Sequence, residues 1–431
     1  MVRLLSGLLA AAVAASSPAL ADADAPARAH FVAGIDLSYI DASGLPSWTN
    51  GSVGKLRYDD GSDGLVVSRA FLDTITRVND TLDFNATLEF YDDDLGASVD
   101  FTEAYAEWRP VPRSANRYRL KLGAFYPSIS MENTGPAWSS PYTISSSTIN
   151  TWLAEELRTV GAELSWSRRP ERLGGQHQFS VQAAVFWLND PTGSLLAWKG
   201  WSADDRQSRF GDELPLPPLP LLEPGMMLEY QDPYVQPFVE VDGRMGYYLN
   251  GEWRVGNRAS ISAMTYNNRG DPEEIKDGQY AWYTEFTHIG GRLSLPGDVG
   301  VLAQWIHGTT VMGEYYGGGS GYGSNAGESG VVDVAYISKY LLLTKALDQH
   351  RLSIRYDDFR VSDYDWIPGD YNAEDGYAWT LAYRYAHSDL LTFAAEWLRI
   401  RTHRESWTYY GLEPAATEDR LQLSVMLRFA R

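Results

Sequence analysis

Apolar and polar residues alternate one by one along most of this chain. Between 421 and 429, Leu421, Leu423, Val425, Leu427 and Phe429 occupy the odd positions, and Gln422, Ser424, Met426 and Arg428 the even ones. A period of two places the apolar residues on one side of a β-strand and the mostly polar ones on the other. The segment 82–90 repeats the pattern, with Leu82, Phe84, Ala86, Leu88 and Phe90 opposing Asp83, Asn85, Thr87 and Glu89. So does 377–385, where Tyr377, Trp379, Leu381, Tyr383 and Tyr385 oppose Ala378, Thr380, Ala382 and Arg384. On this criterion about sixteen strands are expected. They fall at roughly 30–41, 64–78, 82–91, 99–109, 117–126, 158–168, 176–188, 245–256, 258–268, 279–294, 299–312, 331–344, 349–361, 376–386, 389–402 and 419–429.

The connections decide what the strands build. Tight turns are expected at Val78-Asn79-Asp80-Thr81, Gly256-Asn257, Pro296-Gly297-Asp298, Ala346-Leu347-Asp348 and His387-Ser388. Between them come long links near 42–63, 127–157, 189–244, 269–278, 313–330, 362–375 and 403–418. A soluble sandwich would also alternate, with its apolar face turned to a second sheet. Short turns at one end and long loops at the other mark a transmembrane barrel instead. The expected fold is therefore all-β: a transmembrane antiparallel β-barrel of about sixteen strands, with short periplasmic turns and long external loops. The sheet must close, because lipid leaves no partner for an open edge. An even strand count puts both termini on the short-turn side.

The N-terminus reads as an export signal. Arg3 supplies the positive start, residues 4–15 a short apolar run, and Ala19-Leu20-Ala21 a small-x-small cleavage pattern. Residues 1–21 are thus expected to be a signal peptide and 22–431 a single barrel domain. The mean hydropathy of −0.31 resembles that of a soluble protein, but alternation hides a barrel's apolar band from an average. Aromatics make up 13% of the chain, including 15 Trp and 27 Tyr, which suits girdles at both membrane interfaces. There is no cysteine, so disulfides and thiolate metal sites are excluded. The net charge of −20 argues against nucleic acid as a partner.

No His-Glu-x-x-His, Gly-x-Ser-x-Gly or Gly-x-x-x-x-Gly-Lys motif occurs, and the seven histidines are scattered. The chain is expected not to be an enzyme and to need no cofactor. A barrel enzyme of phospholipase or protease type, or a structural or adhesive barrel without an open pore, is the alternative. Asp363, Asp365, Asp370, Glu374 and Asp375 crowd one external loop. Such oxygens can bind calcium, but the spacing matches no EF-hand, and a solvated loop is expected.

The strand Leu120-Lys121-Leu122-Gly123-Ala124-Phe125-Tyr126-Pro127 is followed by Met131-Glu132 and then by Glu155-Glu156-Leu157-Arg158-Thr159-Val160-Gly161-Ala162. With Ala104-Tyr105 and Arg355-Tyr356-Asp357-Asp358-Phe359, these segments resemble the outer-membrane porins, specifically the phosphate-selective porin O/P-like family. The resemblance implies a homotrimeric, sixteen-stranded channel in the outer membrane of a Gram-negative cell, in contact with lipid and lipopolysaccharide. It implies passive diffusion of small hydrophilic solutes or ions, anions such as phosphate among them. It also favours an inward fold of loop 127–157 that narrows the pore, against a loop that merely caps the outside. Two features depart from the family: Ala430-Arg431 extend past the terminal aromatic, and the basic positions are scattered rather than a dense ladder. Phosphate selectivity therefore does not transfer.

A channel's chemistry is its charged lining. The basic lumen positions expected are Arg69, Lys121, Arg254, Arg351, Arg355, Arg384 and Arg428; the acidic ones are Asp83, Glu89, Glu103, Glu107, Glu163, Glu252, Asp357 and Glu396. About half are expected to pair across neighbouring strands. Glu132, Glu155, Glu156 and Arg158 are the loop candidates for the constriction. The last three sit where the inward loop would rejoin the wall. The longest loop, 189–244, carries Leu214-Pro215-Leu216-Pro217-Pro218-Leu219-Pro220, a polyproline-like spacer expected to cover the mouth or touch a neighbouring subunit. The Gly/Ser-rich segment 315–330 reads as a mobile loop tip.

Overall fold

The computed structural model describes residues 29–169, 176–313, 316–317, 328–365, 367 and 369–431. The expected signal peptide, and most of the segment 315–330, lie outside them. Sixteen strands form one closed antiparallel barrel. They are β1 (Ala29–Ser43), β2 (Gly64–Asn79), β3 (Leu82–Phe90), β4 (Val99–Trp108), β5 (Asn116–Phe125), β6 (Thr159–Arg168), β7 (His177–Trp187) and β8 (Gly246–Val255). The second half comprises β9 (Ala259–Asn267), β10 (Tyr283–Leu295), β11 (Val299–Met312), β12 (Val332–Leu347), β13 (His350–Asp363), β14 (Glu374–Ala386), β15 (Leu391–Arg404) and β16 (Ala415–Ala430). Each strand pairs with its sequence neighbours, and β1 closes on β16 from Val32↔Ala430 to Ser43↔Asp419. Every barrel strand therefore has a partner on both sides, which is the condition for crossing hydrocarbon.

The sequence expectation differs by four residues at two strand starts, and β16 begins at Ala415, not 419. Strand β10 begins at Tyr283, not 279; Gln279–Tyr280 pairs with Ile275–Lys276 in a separate hairpin of the preceding loop. The turn here is Asp277-Gly278, both with positive φ, and that geometry favours a tight hairpin over continued extension.

The alternation sorts the side chains as expected. On β16, Leu421, Leu423 and Val425 face outward and exposed, while Arg420, Gln422, Ser424 and Met426 are buried inside. On β14, Trp379, Leu381 and Tyr383 face outward, and Ala378, Thr380 and Ala382 inward. Aromatic rings bracket the outer apolar band: Tyr356, Tyr377 and Trp379 pack together on the long-loop side, and Tyr383, Tyr385, His350 and Phe393 near the short turns. Outward charged pairs, Lys339–Asp358 and Arg399–Asp419, lie level with the first group. This is the aromatic girdle of a barrel wall in a bilayer. Two apolar grooves of about 610 and 630 Å³, lined by residues such as Leu343, Ile354, Leu381 and Ile289, Trp305, Leu341, lie on this outer face.

Unlike the outer surface, the lumen is largely filled with protein. Helix α1 (Thr148–Glu156) and helix α2 (Ser194–Trp198), from the two longest well-described loops, are wholly buried inside. Their Trp152, Leu153, Leu195, Leu196 and Trp198 form one apolar core with inward wall residues Phe186, Tyr266, Phe286 and Tyr336. The Leu-Pro segment joins it through buried Leu214, Leu216 and Leu219, so within this chain its leucines anchor the loop.

A charge in the middle of the outer band tests the membrane assignment. Leu423→Arg is expected to cost about 2–4 kcal/mol in equilibrium unfolding from lipid, with little loss in a detergent that wets the site.

Candidate functional site

An inward loop brings backbone polar groups into a closed space, and each must find a partner. Loop 127–157 finds them on the wall. Met131 N donates to Gln304 Oε1 at 2.8 Å, Ile144 N and Ser145 N donate to the Glu396 carboxylate at 2.5 and 3.0 Å, and Thr148 N donates to Asp357 Oδ1 at 3.0 Å. These residues lie on β11, β15 and β13. The loop therefore crosses the lumen against the far wall.

Its second clamp is Arg355, on β13. The guanidinium pairs with Asp357 at 2.9 Å and Glu132 at 3.2 Å, and donates to the carbonyls of Ser145 and Ser146 at 2.9 and 2.7 Å. All three charged side chains are 0% exposed. Arg355 and Glu132 thus do not line an open path. They are sealed beneath the loop, because their charges satisfy one another and the loop backbone.

Glu155, Glu156 and Arg158 are likewise not at a constriction. Glu155 pairs with Lys199 at 2.5 Å and accepts from Ser202. Glu156 accepts the backbone N–H groups of Gly193, Leu195 and Leu196 and the hydroxyl of Ser194, so it caps the N-terminus of α2. Arg158 lies 3.5 Å from the ring centre of Tyr126 and donates to Ser208 O at 2.7 Å. Together they bolt loop 127–157 to loop 189–244. The glycines that bracket α2 make this possible. Gly193 (φ 105°) is pressed against Thr284 and Thr310, and Gly200 (φ 84°) against the carboxylate of Glu374, in a left-handed backbone and with no room for a Cβ.

Between the loops and one part of the wall lies a slot. It is lined by Asp36 (β1), Arg69 (β2), Arg384 (β14), Met426 and Arg428 (β16), facing Asn133, Trp138, Ser140, Thr143 and Ser146 of one loop and Asp205, Arg206 and Gln207 of the other. Its cavity is about 30 Å³, room for roughly two water-sized atoms. Most of its charges are tied. Arg428 pairs with Asp36, Arg69 with Glu89, Arg206 with Asp212 and Asp93, and Asp205 with Arg57. Arg384 instead donates to the carbonyls of Ser140 and Thr143 at 3.1 and 3.3 Å.

The loop tip that faces the slot is held in an uncommon conformation. Ala137 and Trp138 both have positive φ, 49° and 53°. Arg69 and Gln207 donate to Ala137 O, Asn133 donates to Trp138 O, and Trp138 stacks on Tyr126 at 4.3 Å. Two non-glycine residues in this region cost energy, and the contacts that hold them border the slot.

The other expected lining residues are dispersed. Arg254 lies beside Glu252 at 2.7 Å in a polar vestibule of about 580 Å³ at the short-turn end, with Arg117, Arg119 and Glu107. Lys121 is buried over Tyr105 and Phe125. Arg351 sits over Tyr142, near Arg384. The slot residues missed by sequence reasoning, Asp36 and the Asp205-Arg206-Gln207 run, carried one signal. Asp36 is a charged residue on the polar face of an alternating strand; the second group had none, since its position depends on how loop 189–244 folds.

The acidic loop after β13 is not a solvated one. Glu374 is buried between Lys55 at 2.6 Å and Arg404 at 3.5 Å, and Asp370 is 2% exposed. Burial and the neighbouring acids push Asp370 up to about 7 and Asp365 up to about 9. A different trio, Asp190, Glu240 and Asp242, brings carboxylate oxygens within 4.8 Å. Each accepts backbone N–H groups, from Val241, Leu188 and Arg244 respectively, so the trio clasps the base of loop 189–244.

No protein-family model and no curated protein matches the sequence. The fold is similar to the outer-membrane channel DcaP of Acinetobacter baumannii, at 14% identity and a TM-score of 0.50, over 95% of this chain and 100% of that one. An anion-selective porin from Comamonas acidovorans gives 10% identity and a TM-score of 0.48, over 93% and 99%. OmpT, an outer membrane protein of Vibrio cholerae, gives 9% and 0.47, over 95% and 100%. At such identities the likeness concerns the fold: the closed sixteen-strand barrel of outer-membrane porins.

Two outcomes follow from the site's electrostatics. Arg355→Met leaves Glu132 and Asp357 buried without their cation and is expected to destabilise the protein by about 3–5 kcal/mol, with faster proteolysis of loop 127–157. Folding raises the pKa of Asp365 and Asp370, so the packed loop binds their protons more tightly than the open one. Its protection from hydrogen exchange should be full below pH 3.8, the ordinary Asp value, and fall as pH rises through 7 towards 9. Asp370→Asn should flatten the part of that fall centred near 7.

Proposed function

We propose that this protein is an outer-membrane channel for passive diffusion of small hydrophilic solutes or ions, and that it is not an enzyme. The observation that carries the reading is the slot: a charged, polar gap between an inward loop and the wall of a barrel whose outer face is apolar. A barrel with a filled lumen and no such gap would suit an adhesive or structural role better. In the slot, guanidinium groups of Arg69, Arg384 and Arg428 stand on the wall, opposite hydroxyls, amides and Asp205 on the loops. Such a lining passes solutes that replace water's hydrogen bonds and repels apolar ones. Of its four arginines, Arg69, Arg206 and Arg428 are paired with carboxylates and, among the described residues, Arg384 is not, so the unbalanced charge is positive and anions are the favoured ions. Export by the N-terminal signal and insertion into the outer membrane of a Gram-negative cell belong to the same reading. Diffusion follows the solute gradient, so no cofactor enters.

The 30 Å³ cavity is narrow for a general pore, and the channel is accordingly read as a selective one whose loop tip yields to its solute. A homotrimer is part of the proposal. Strands β3 to β9 have 9 to 11 residues, whereas β10 to β16 have 13 to 16. The short wall turns Ala86, Ala104 and Ala106 outward, and small residues let a second barrel approach closely.

Refolded protein in a planar bilayer under a salt gradient should give small stepwise openings, grouped in threes, with a reversal potential of anion sign. A folded, inserted and silent protein would contradict the proposal.

A further inference from the structure

Lys55 and Lys199 are both wholly buried, which is costly for an ammonium group. Their surroundings differ. The partner of Lys55, Glu374, has a second cation in Arg404. The partner of Lys199, Glu155, is paired with no other cation among the described residues. A second acid, Asp204, is buried beside them. Trp48 donates its Nε1–H to Asp204 at 3.0 Å and turns its ring face to Lys199 Nζ at 4.0 Å. One amine therefore serves two buried carboxyl groups. Burial pushes the pKa of Glu155 up, and burial with the neighbouring Glu155 charge pushes that of Asp204 up to about 6. Ser202 completes the arrangement. Its hydroxyl lies 3.0 Å from Lys199 Nζ and 3.0 Å from Glu155 Oε1, and those two atoms are 2.5 Å apart. Amine, carboxyl and hydroxyl form a closed triangle away from solvent.

We propose that Lys199 and Glu155 condense to an isopeptide bond, a covalent cross-link between loop 127–157 and loop 189–244. Within the ion pair the ammonium proton passes to the Glu155 carboxylate, giving an amine and an acid, the neutral forms that burial favours. Lys199 Nζ then attacks Glu155 Cδ. A C–N bond forms, Ser202 carries a proton from the nitrogen to the departing oxygen, a C–O bond breaks and one water leaves. Nothing is oxidised or reduced, and no further reagent is consumed. A desolvated lysine amine is a competent nucleophile, and the fold holds it in contact with its target, as an intramolecular reaction requires. The product is a neutral amide in place of two buried charges, which removes the desolvation cost of the pair. The two loops that fill the lumen are then fixed to each other by a bond rather than by an ion pair. This holds whether or not the barrel conducts.

The test is the intact mass of the full protein, measured after denaturation, with a peptide map. Wild-type protein is expected to be lighter by one water than its uncondensed chain, with the peptides containing Glu155 and Lys199 recovered as one branched species. Lys199→Arg keeps the cation but not the nucleophile, and should have the full mass and separate peptides. In freshly refolded Ser202→Ala, water loss should be slower by about a hundredfold. Heat-modifiable migration on gels checks that each protein is folded. Folded wild-type protein with its full mass and a free Lys199 amine would refute the bond, whatever the variants do. Water loss that persists in Lys199→Arg would also refute it, and an unchanged rate in Ser202→Ala would overturn the proton relay.

Discussion

Closure of the sheet is the constraint on which the rest depends. In hydrocarbon an unpaired strand edge leaves a row of unsatisfied N–H and C=O groups, each costing several kcal/mol. The pairing of β1 with β16 removes that edge. Once sixteen strands close, they enclose more space than their own side chains fill, and what occupies that space decides what the protein does. Here two long loops occupy it, and their fit leaves a charged gap against β1, β2, β14 and β16.

The loops are held by carboxylates acting in two ways. Glu396 and Asp357 reach from the wall to accept backbone N–H groups, and Glu156 caps a buried helix. Glu132, Glu155 and Glu374 neutralise buried cations. Such pairs contribute little net stability against an apolar alternative, but removing one member is costly. Their effect is to fix a single position for the loops, and so the shape of the gap. The positive φ of Ala137 and Trp138 is held by separate contacts, from Arg69, Gln207 and Asn133 to their carbonyls.

Much of the fold was legible because the period-two signal is local. Each strand announces its own faces, so β3, β14 and β16 were readable residue by residue, and turns such as Asn79-Asp80 fixed the ends. The inward loop was legible only through family resemblance. The site was not legible to the same depth. Arg355, Asp357 and Glu396 have the same alternating position as Arg384, and nothing local distinguishes a residue under the loop from one beside it. Glu155 and Glu156 were placed at the constriction from the point where the loop rejoins the wall. Their actual partners, Lys199 and the N-terminus of α2, lie some forty residues further along the chain. Tertiary contact at that separation leaves no trace in periodicity.

The central claim is that solute passes through the slot beside loop 127–157. The chain has no cysteine, so a single Ser139→Cys on the slot face of the loop gives a clean reporter. The most direct measurement is the single-channel current of that variant before and after a bulky, negatively charged, thiol-specific reagent is added in a planar bilayer. A stepwise and lasting fall in current, absent from the cysteine-free parent, is the expected result. Complete labelling with unchanged current would place the path elsewhere and contradict the account.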